Sequence, residues 1–284
     1  MDVYNRKQIE ENANIPRSLA RTSKDDNTVL TSMFRDAPWH FGTPHAGHTY
    51  EWLPTDTEEN FQRLMQEPEH REYFGSKGWD QPGAIIYKIN SHGFRSEEFD
   101  PAAPSLVSLG CSYTVGIGLP ETATWSHLVA QAAGLTNYNL AWPGTSADTC
   151  FMQAQYWLPV LRPQLVVMVA PPKHRFDLIS EDPRLPHDTY MSSGGSCESY
   201  RDTFVKTWLL NDRNAELNSS RNRWAVQGIC ADLGITCLTY DAHEWFAKSR
   251  EELEYARDHM HAGPRGHQLL AERIIHDWHE TKTA

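Results

Sequence analysis

Ser105-Leu106-Val107-Ser108-Leu109-Gly110-Cys111-Ser112-Tyr113-Thr114 is the stretch on which the fold turns. A short apolar run halted by a glycine is the pattern of a buried strand that ends in a sharp turn. An amphipathic helix follows, because Trp125, Leu128, Val129 and Ala132 stand at i, i+3, i+4 and i+7. The pair makes one β-then-α unit, and the alternation repeats downstream. Asn137 to Ala141 reads as a short second strand, and Phe151, Ala154, Leu158 and Leu161 mark a helix stopped at Arg162-Pro163. Leu165 to Ala170 is the clearest buried strand, closed by Pro171-Pro172. A long segment, Leu178 to Ser220, carries a Gly194-Gly195 turn and a helix with Tyr200, Phe204, Trp208 and Leu209 on one face. Val226, Ile229, Cys230 and Leu233 form the next helical stripe, with Gly234 at its C′ position, and Ile235 to Thr239 the next strand. A last helix opens at Gly263-Pro264 and buries Leu270, Ile274 and Trp278. This order predicts a doubly wound, flavodoxin-like α/β fold, a mostly parallel sheet inside a three-layer α/β/α sandwich.

Upstream the pattern differs. Residues 1–104 are polar, rich in Pro, Asp, Glu and His, and carry Trp39, Trp52 and Trp79 singly among turn residues. An amphipathic piece is expected over Thr57 to Met65, and a β-like run over Ala84 to Ile89 that stops at Asn90-Ser91-His92-Gly93. With aromatic residues to bury but few periodic segments, 1–104 reads as an irregular N-terminal accessory region packed on a main domain of 105–284.

Composition narrows the partners. The chain has 284 residues, 39% hydrophobic and 22% charged, the profile of a globular protein with a full core. Its net charge of −11 repels phosphate backbones and anionic bilayers, so neither nucleic acid nor membrane is an expected partner. The opening residues lack an apolar signal-peptide core, and the strongest apolar run, Leu165 to Ala170, is far short of the ~20 residues a span needs, so a cytoplasmic location is expected. Five cysteines with no C-x-x-C pair read as reduced thiols.

In doubly wound sheets ligands bind beyond the carboxyl ends of the strands. The first such loop holds Ser112, which there either caps the helix or presents its hydroxyl and its own N–H to one substrate atom. Position 114 is Thr, so the G-x-S-x-G elbow is not matched. Cys111 is the neighbouring nucleophile, but alternation turns it the opposite way. A serine needs a base, and the base needs a partner to set its tautomer. Asp258-His259-Met260-His261, after the last strand, offers both three residues apart. His259, His261 and His267 lack the carboxylate or thiolate spacing of a metal site, so no metal or other cofactor is expected.

Three blocks together resemble the SGNH/GDSL hydrolases: Gly110-Cys111-Ser112-Tyr113-Thr114 with Gly116, Asn139-Leu140-Ala141-Trp142-Pro143-Gly144, and Asp258-His259-Met260-His261-Ala262-Gly263-Pro264-Arg265-Gly266-His267. The likeness spans roughly residues 105–278, and Tyr87 to Arg95 is similar to a lead-in seen before the catalytic domain in some members. It implies Ser112 as nucleophile, His261 as general base, Asp258 as its orienting carboxylate, and the N–H groups of Ser112 and Gly144 as oxyanion donors. The family's first-block Asp is Cys111 here. Where the family has Gly-x-Asn-Asp after the central strand, this chain has Ala170-Pro171-Pro172-Lys173-His174-Arg175-Phe176-Asp177. The oxyanion Asn is absent; Lys173 or Arg175 in the equivalent loop is the candidate substitute donor or substrate contact, against the plainer reading of a solvated surface charge. The resemblance implies a serine esterase or deacetylase acting through an acyl-enzyme on an O-acylated carbohydrate or small metabolite. The missing Asn leaves two alternatives, O-acyl transfer to a sugar hydroxyl and carbohydrate binding without turnover.

Overall fold

The computed structural model describes residues 45–178, 188–190, 211–248, 252 and 254–283. Trp39, the Gly194-Gly195 turn and the helix expected at Tyr200–Leu209 lie outside them.

From residue 45 the N-terminal region is more regular than its composition suggests. Strand β1 (Thr49–Tyr50) pairs antiparallel with β2 (Tyr87–Lys88). The run expected at 84–89 shortens to two residues because its partner offers only two. Between them lies α1 (Glu58–Leu64), N-capped by the Thr57 hydroxyl, with Phe61 and Leu64 buried as the apolar spacing requires. Helix α2 (Pro68–Lys77) was not expected. Its punctuation is present, Pro68 in the first turn and Gly78 in a left-handed cap, but only Phe74 is buried, so no apolar stripe announces it. Leu53, Phe61, Phe74, Trp79, Ile85 and Tyr87 share one cluster with Val115, Ile117, Leu119, Ala141 and Ala256. The region therefore packs on the loops that follow the central strands, and Pro38–Ala284 is one compact unit.

The sheet follows in βα order. Strand β3 (Ser105–Leu109) leads through Gly110 into a single turn, α3 (Ser112–Val115), then α4 (Trp125–Ala133), capped by Thr124. Strand β4 (Thr136–Asn139) precedes α5 (Ala147–Leu161), which Ser146 caps and a left-handed Arg162 ends ahead of Pro163. Strand β5 (Leu165–Ala170) is followed by a hairpin of β6 (Phe176–Leu178) and β7 (Asp188–Tyr190). Helix α6 (Asp212–Asp232), β8 (Thr236–Asp241), the short α7 (Ala242–Phe246) and α8 (Pro264–Thr283) complete the described chain.

The central sheet runs β4-β3-β5-β8, all parallel, with Val107 opposite Tyr138 and Val166 and with Val167 opposite Leu238. Taken in chain order this is 2-1-3-4, the flavodoxin-like doubly wound arrangement. Alternation along β5 explains the layers. Val166, Met168 and Ala170 pack with Leu158 of α5 and Val226 and Cys230 of α6; Leu165, Val167 and Val169 pack with Trp125 and Val129 of α4 and Leu270 and Ile274 of α8. Both faces are covered, so the strands read as continuous apolar runs, each buried Val or Leu contributing about 1.5–3 kcal/mol.

Two helices differ from expectation. In α4 the buried stripe is Trp125, Ser126, Val129 and Ala130, with Ala132 exposed. Helix α6 starts at Asp212, well ahead of the Val226 stripe, because its first half docks through polar groups: Asn218 and Asn222 donate to Asp148 at 3.2 and 2.8 Å. Among the described residues no helix is long and apolar enough to cross a membrane.

Candidate active site

Strands β3 and β5 are neighbours whose connections leave toward opposite sides, and that switch point opens a crevice at their carboxyl ends. Ser112, the first residue of α3, sits there with 6% of its surface exposed. Gly110 makes this possible, since a Cβ on it would lie 2.1 Å from Thr114 Oγ1 and 2.9 Å from the Val169 carbonyl. The wall of β5 thus presses directly on the turn that aims Ser112.

The second half of the site comes from the loop 254–263. Its ends pair at Tyr255 and Ala262, and the Ala256 amide donates to the His261 carbonyl at 3.1 Å. His259 sits at φ 60° to close the turn. The Asp258 carboxylate folds back on this turn: Oδ1 accepts from the amides of Met260 and His261 at 3.0 and 3.1 Å, while Oδ2 faces His261 Nδ1 at 2.6 Å. A carboxylate there requires the hydrogen on Nδ1, which leaves Nε2 as an acceptor. Nε2 lies 2.8 Å from Ser112 Oγ. Residues 112 and 261, 149 positions apart, are therefore in direct hydrogen-bond contact.

The two loops meet through backbone. The Arg257 amide donates to the Gly118 carbonyl at 2.9 Å, and a Cβ on Gly118 would lie 2.9 Å from that same amide nitrogen. Asp258 is 1% exposed. Burial pushes its carboxyl up, but hydrogen bonds and charge from His261, with further donation from Thr55 and the Met260 amide, outweigh that and hold it below the usual carboxylate range. It therefore stays ionised beside the imidazole.

Gly144 follows β4 in the loop 142–145. Thr145 Oγ1 donates to the Gly110 carbonyl at 3.0 Å, which pins this loop beside the one that carries Ser112. No group among the described residues accepts from the N–H of Ser112 or of Gly144. The two third-loop cations separate. Lys173 turns to α6, where Asp212 and Glu216 hold it at 3.3 and 3.9 Å, away from the loop 142–145 that Arg175 reaches. Arg175 turns to the site: it is half-buried, has no carboxylate partner among the described residues, and reaches the Thr145 carbonyl at 3.5 Å. Its charge is felt at Tyr113, whose phenol burial pushes up and Arg175 pulls back. Cys111 is fully buried, as alternation expects.

Several site residues escaped the sequence reading. Thr55 Oγ1 donates to Asp258 Oδ2 at 2.6 Å, and Asn60 Nδ2 to the Asp258 carbonyl at 2.9 Å. Arg257 is fully buried and forks onto Asp56 at 2.9 and 2.7 Å, while Asp56 also accepts from Tyr87. Arg95, 1% exposed, donates to the carbonyls of Val115, Gly116 and Leu119 and so ties down the chain after α3. His267 accepts from the Trp125 amide at 3.0 Å, and burial, then the charges of His261 and Arg95, push its pKa down to about 3. Thr55, Asp56 and Asn60 sit in a segment with no motif, whereas Arg95 ends the Tyr87 to Arg95 lead-in, and Arg257 and His267 lie beside and within the Asp258 to His267 block, with nothing there that signals these contacts. A cleft of about 240 Å³ opens beside His261, lined in part by Phe246, Lys248, Glu254, Tyr255, Met260 and Ala262. Among the described residues no cluster of His, Cys, Asp or Glu could hold a metal ion.

No family model and no curated protein matches the chain. Among solved structures, it is similar to a protein described as lipolytic and of the G-D-S-L family from Desulfitobacterium hafniense, at 13% identity and a TM-score of 0.33 over 61% of this chain and 98% of that one. An acetyl xylan esterase from the rumen bacterium Butyrivibrio proteoclasticus aligns at 11% identity and a TM-score of 0.38, over 63% of this chain and 64% of its own. A carbohydrate esterase aligns at 15% identity and 0.34, over 62% and 65%. The chain spans less than two thirds of the length of these last two.

Proposed function

We propose that this chain is a serine-dependent ester hydrolase that works through an acyl-enzyme. What supports the reading is the unbroken line Ser112 Oγ, His261, Asp258 at 2.8 and 2.6 Å, set at a topological switch point with a cleft alongside. As the Ser112 oxygen attacks the ester carbonyl carbon, His261 Nε2 takes the hydroxyl proton, and Asp258 stabilises the imidazolium. The carbonyl oxygen becomes an oxyanion, which the N–H groups of Ser112 and Gly144 receive, with the Arg175 guanidinium in the place of the absent Asn side chain. Collapse breaks the bond to the leaving alcohol, which takes its proton from His261. Water, deprotonated by the same nitrogen, then attacks the acyl group on Ser112 and restores the serine with release of the acid.

The substrate class we propose is an O-acylated carbohydrate or small metabolite. What supports it is a cleft that adjoins the catalytic imidazole of His261 and a net charge of −11, which opposes polyanionic partners. The test is a fluorophosphonate label together with a panel of acyl esters from acetyl to long chain. Ser112 should be the labelled residue, and Ser112→Ala should lower hydrolysis by at least about 10³-fold. An unlabelled, esterase-silent protein that Ser112→Ala does not alter removes the reading. Including a sugar acceptor in the panel separates transfer from hydrolysis, because transfer yields the acylated sugar in place of the free acid.

A further inference from the structure

We infer that Thr55 is a positioning residue for this chemistry, which makes the N-terminal segment part of the hydrolytic machinery; the inference rests on the role proposed for Ser112, His261 and Asp258. The hydroxyl of Thr55 donates at 2.6 Å to Asp258 Oδ2, the oxygen that also faces His261 Nδ1 at 2.6 Å. Thr55 does so from φ 76°, a left-handed conformation that a β-branched residue adopts only where its surroundings impose it. Those surroundings are on hand. The Leu53 amide donates to the Asp56 carbonyl at 3.1 Å and closes a tight turn around Thr55. Asn60 Nδ2 holds the Thr55 carbonyl at 3.1 Å and the Asp258 carbonyl at 2.9 Å, so one amide group gauges the separation of the two backbones. The next residue on each side repeats the pairing, Asp56 with Arg257. Residues 55–56 thus dock on 257–258 through two side-chain pairs, and the strained turn is what brings the hydroxyl onto the carboxylate.

The chemistry of that contact is specific. Met260 and His261 amides fill one carboxylate oxygen, and Thr55 with the imidazole fills the other, which stops rotation of the carboxylate about its Cβ–Cγ bond. A neutral donor on Oδ2 also limits the basicity of Asp258. Of the other charged or titratable groups around the pair, Arg257 is matched by Asp56, Tyr113 is a half-buried phenol with a raised pKa, His267 is neutral, and His259 stacks on Tyr255. Thr55 touches Asp258 and does not line the cleft, so its effect should fall on turnover rather than on substrate affinity.

The experiment compares wild type, Thr55→Val and Thr55→Ser in ester hydrolysis and in the rate of Ser112 labelling. Thr55→Val should lower kcat about ten- to a hundredfold with KM within about twofold and slow labelling in parallel, and Thr55→Ser should recover most of both losses. Equal kcat in the three proteins overturns the inference, as does a Ser variant no better than Val. If Thr55→Val does not fold, the Ser variant set against Thr55→Ala supplies the same comparison. Wild-type protein that neither labels nor hydrolyses would count against the proposed function instead, whereas an active wild type with an equally active Val variant overturns the role of Thr55 alone.

Discussion

His267 makes the pH dependence of stability a direct test of the packing behind the site. Its ring is 1% exposed, accepts from the Trp125 amide at the start of α4, and has a pKa of about 3 against an ordinary value of 6.5. An imidazolium there would lose its solvation and set a hydrogen against the donor N–H at the positive end of a helix. The folded value lies below the unfolded one, so the unfolded chain binds the proton first as pH falls. The neutral ring's contribution is fully present above about pH 6.5 and drains away as pH drops toward about 3. At about 1.4 kcal/mol per tenfold change in proton affinity, the whole window is worth about 5 kcal/mol. Urea unfolding from about pH 7 to about pH 4 should show stability falling by up to about 1.4 kcal/mol per pH unit. In His267→Asn, whose Oδ1 replaces Nδ1 as the acceptor, neutral-pH stability should drop by about 1–3 kcal/mol for the lost packing, while that part of the slope disappears. Asp258 acts in a lower window: its depressed carboxyl stabilises the fold above the usual carboxylate range and is lost only as pH falls through and below it. Parallel slopes in the two proteins, or a His267 resonance titrating near 6.5, would refute the reasoning.

Asp56→Ala should cost about 3–5 kcal/mol in chemical denaturation, because it strands the buried Arg257 guanidinium and removes the Tyr87 acceptor; a cost below about 1 kcal/mol would mean that the pair is dispensable. Gly110→Ala should lower the melting temperature and depress Ser112 labelling, with a cost of about 1–3 kcal/mol. Adding Thr114→Ala should recover only part, since the Val169 carbonyl, 2.9 Å from the new Cβ, cannot retreat without moving β5. Arg175→Ala should reduce kcat about 10²–10³-fold with Arg175→Asn intermediate, whereas Lys173→Ala should leave ester hydrolysis within about twofold. Equal effects of the two cation deletions would show that neither reaches the oxyanion.

The doubly wound core was legible because a parallel sheet covered on both faces demands continuous apolar strands and one-sided helices. Leu165–Ala170 and the Leu270, Ile274, Trp278 stripe meet those demands in plain sight. Helix α2 and the first half of α6 were not legible for the opposite reason: they are held by capping, by a single buried aromatic, or by amides on Asp148, and none of these leaves a period in the sequence.

The site divides the same way. Ser112, Asp258 and His261 could be named from two short blocks, because local chemistry sets each one: a serine at the end of a buried strand, and an aspartate three residues before a histidine in a tight turn. Which third-loop cation turns inward was open, and only the meeting of that loop with 142–145 on one side and α6 on the other sends Arg175 to Thr145 and Lys173 to Asp212. Thr55, Asp56 and Asn60 were invisible, since each acts through a partner some 200 positions away, and the lead-in that ends at Arg95 gave no sign of the carbonyls Arg95 holds 20 to 24 positions on. Backbone pattern and local capping are written along the chain, whereas contacts between distant segments exist only once hydrophobic burial has brought those segments together, and the support behind this site is made almost wholly of such contacts.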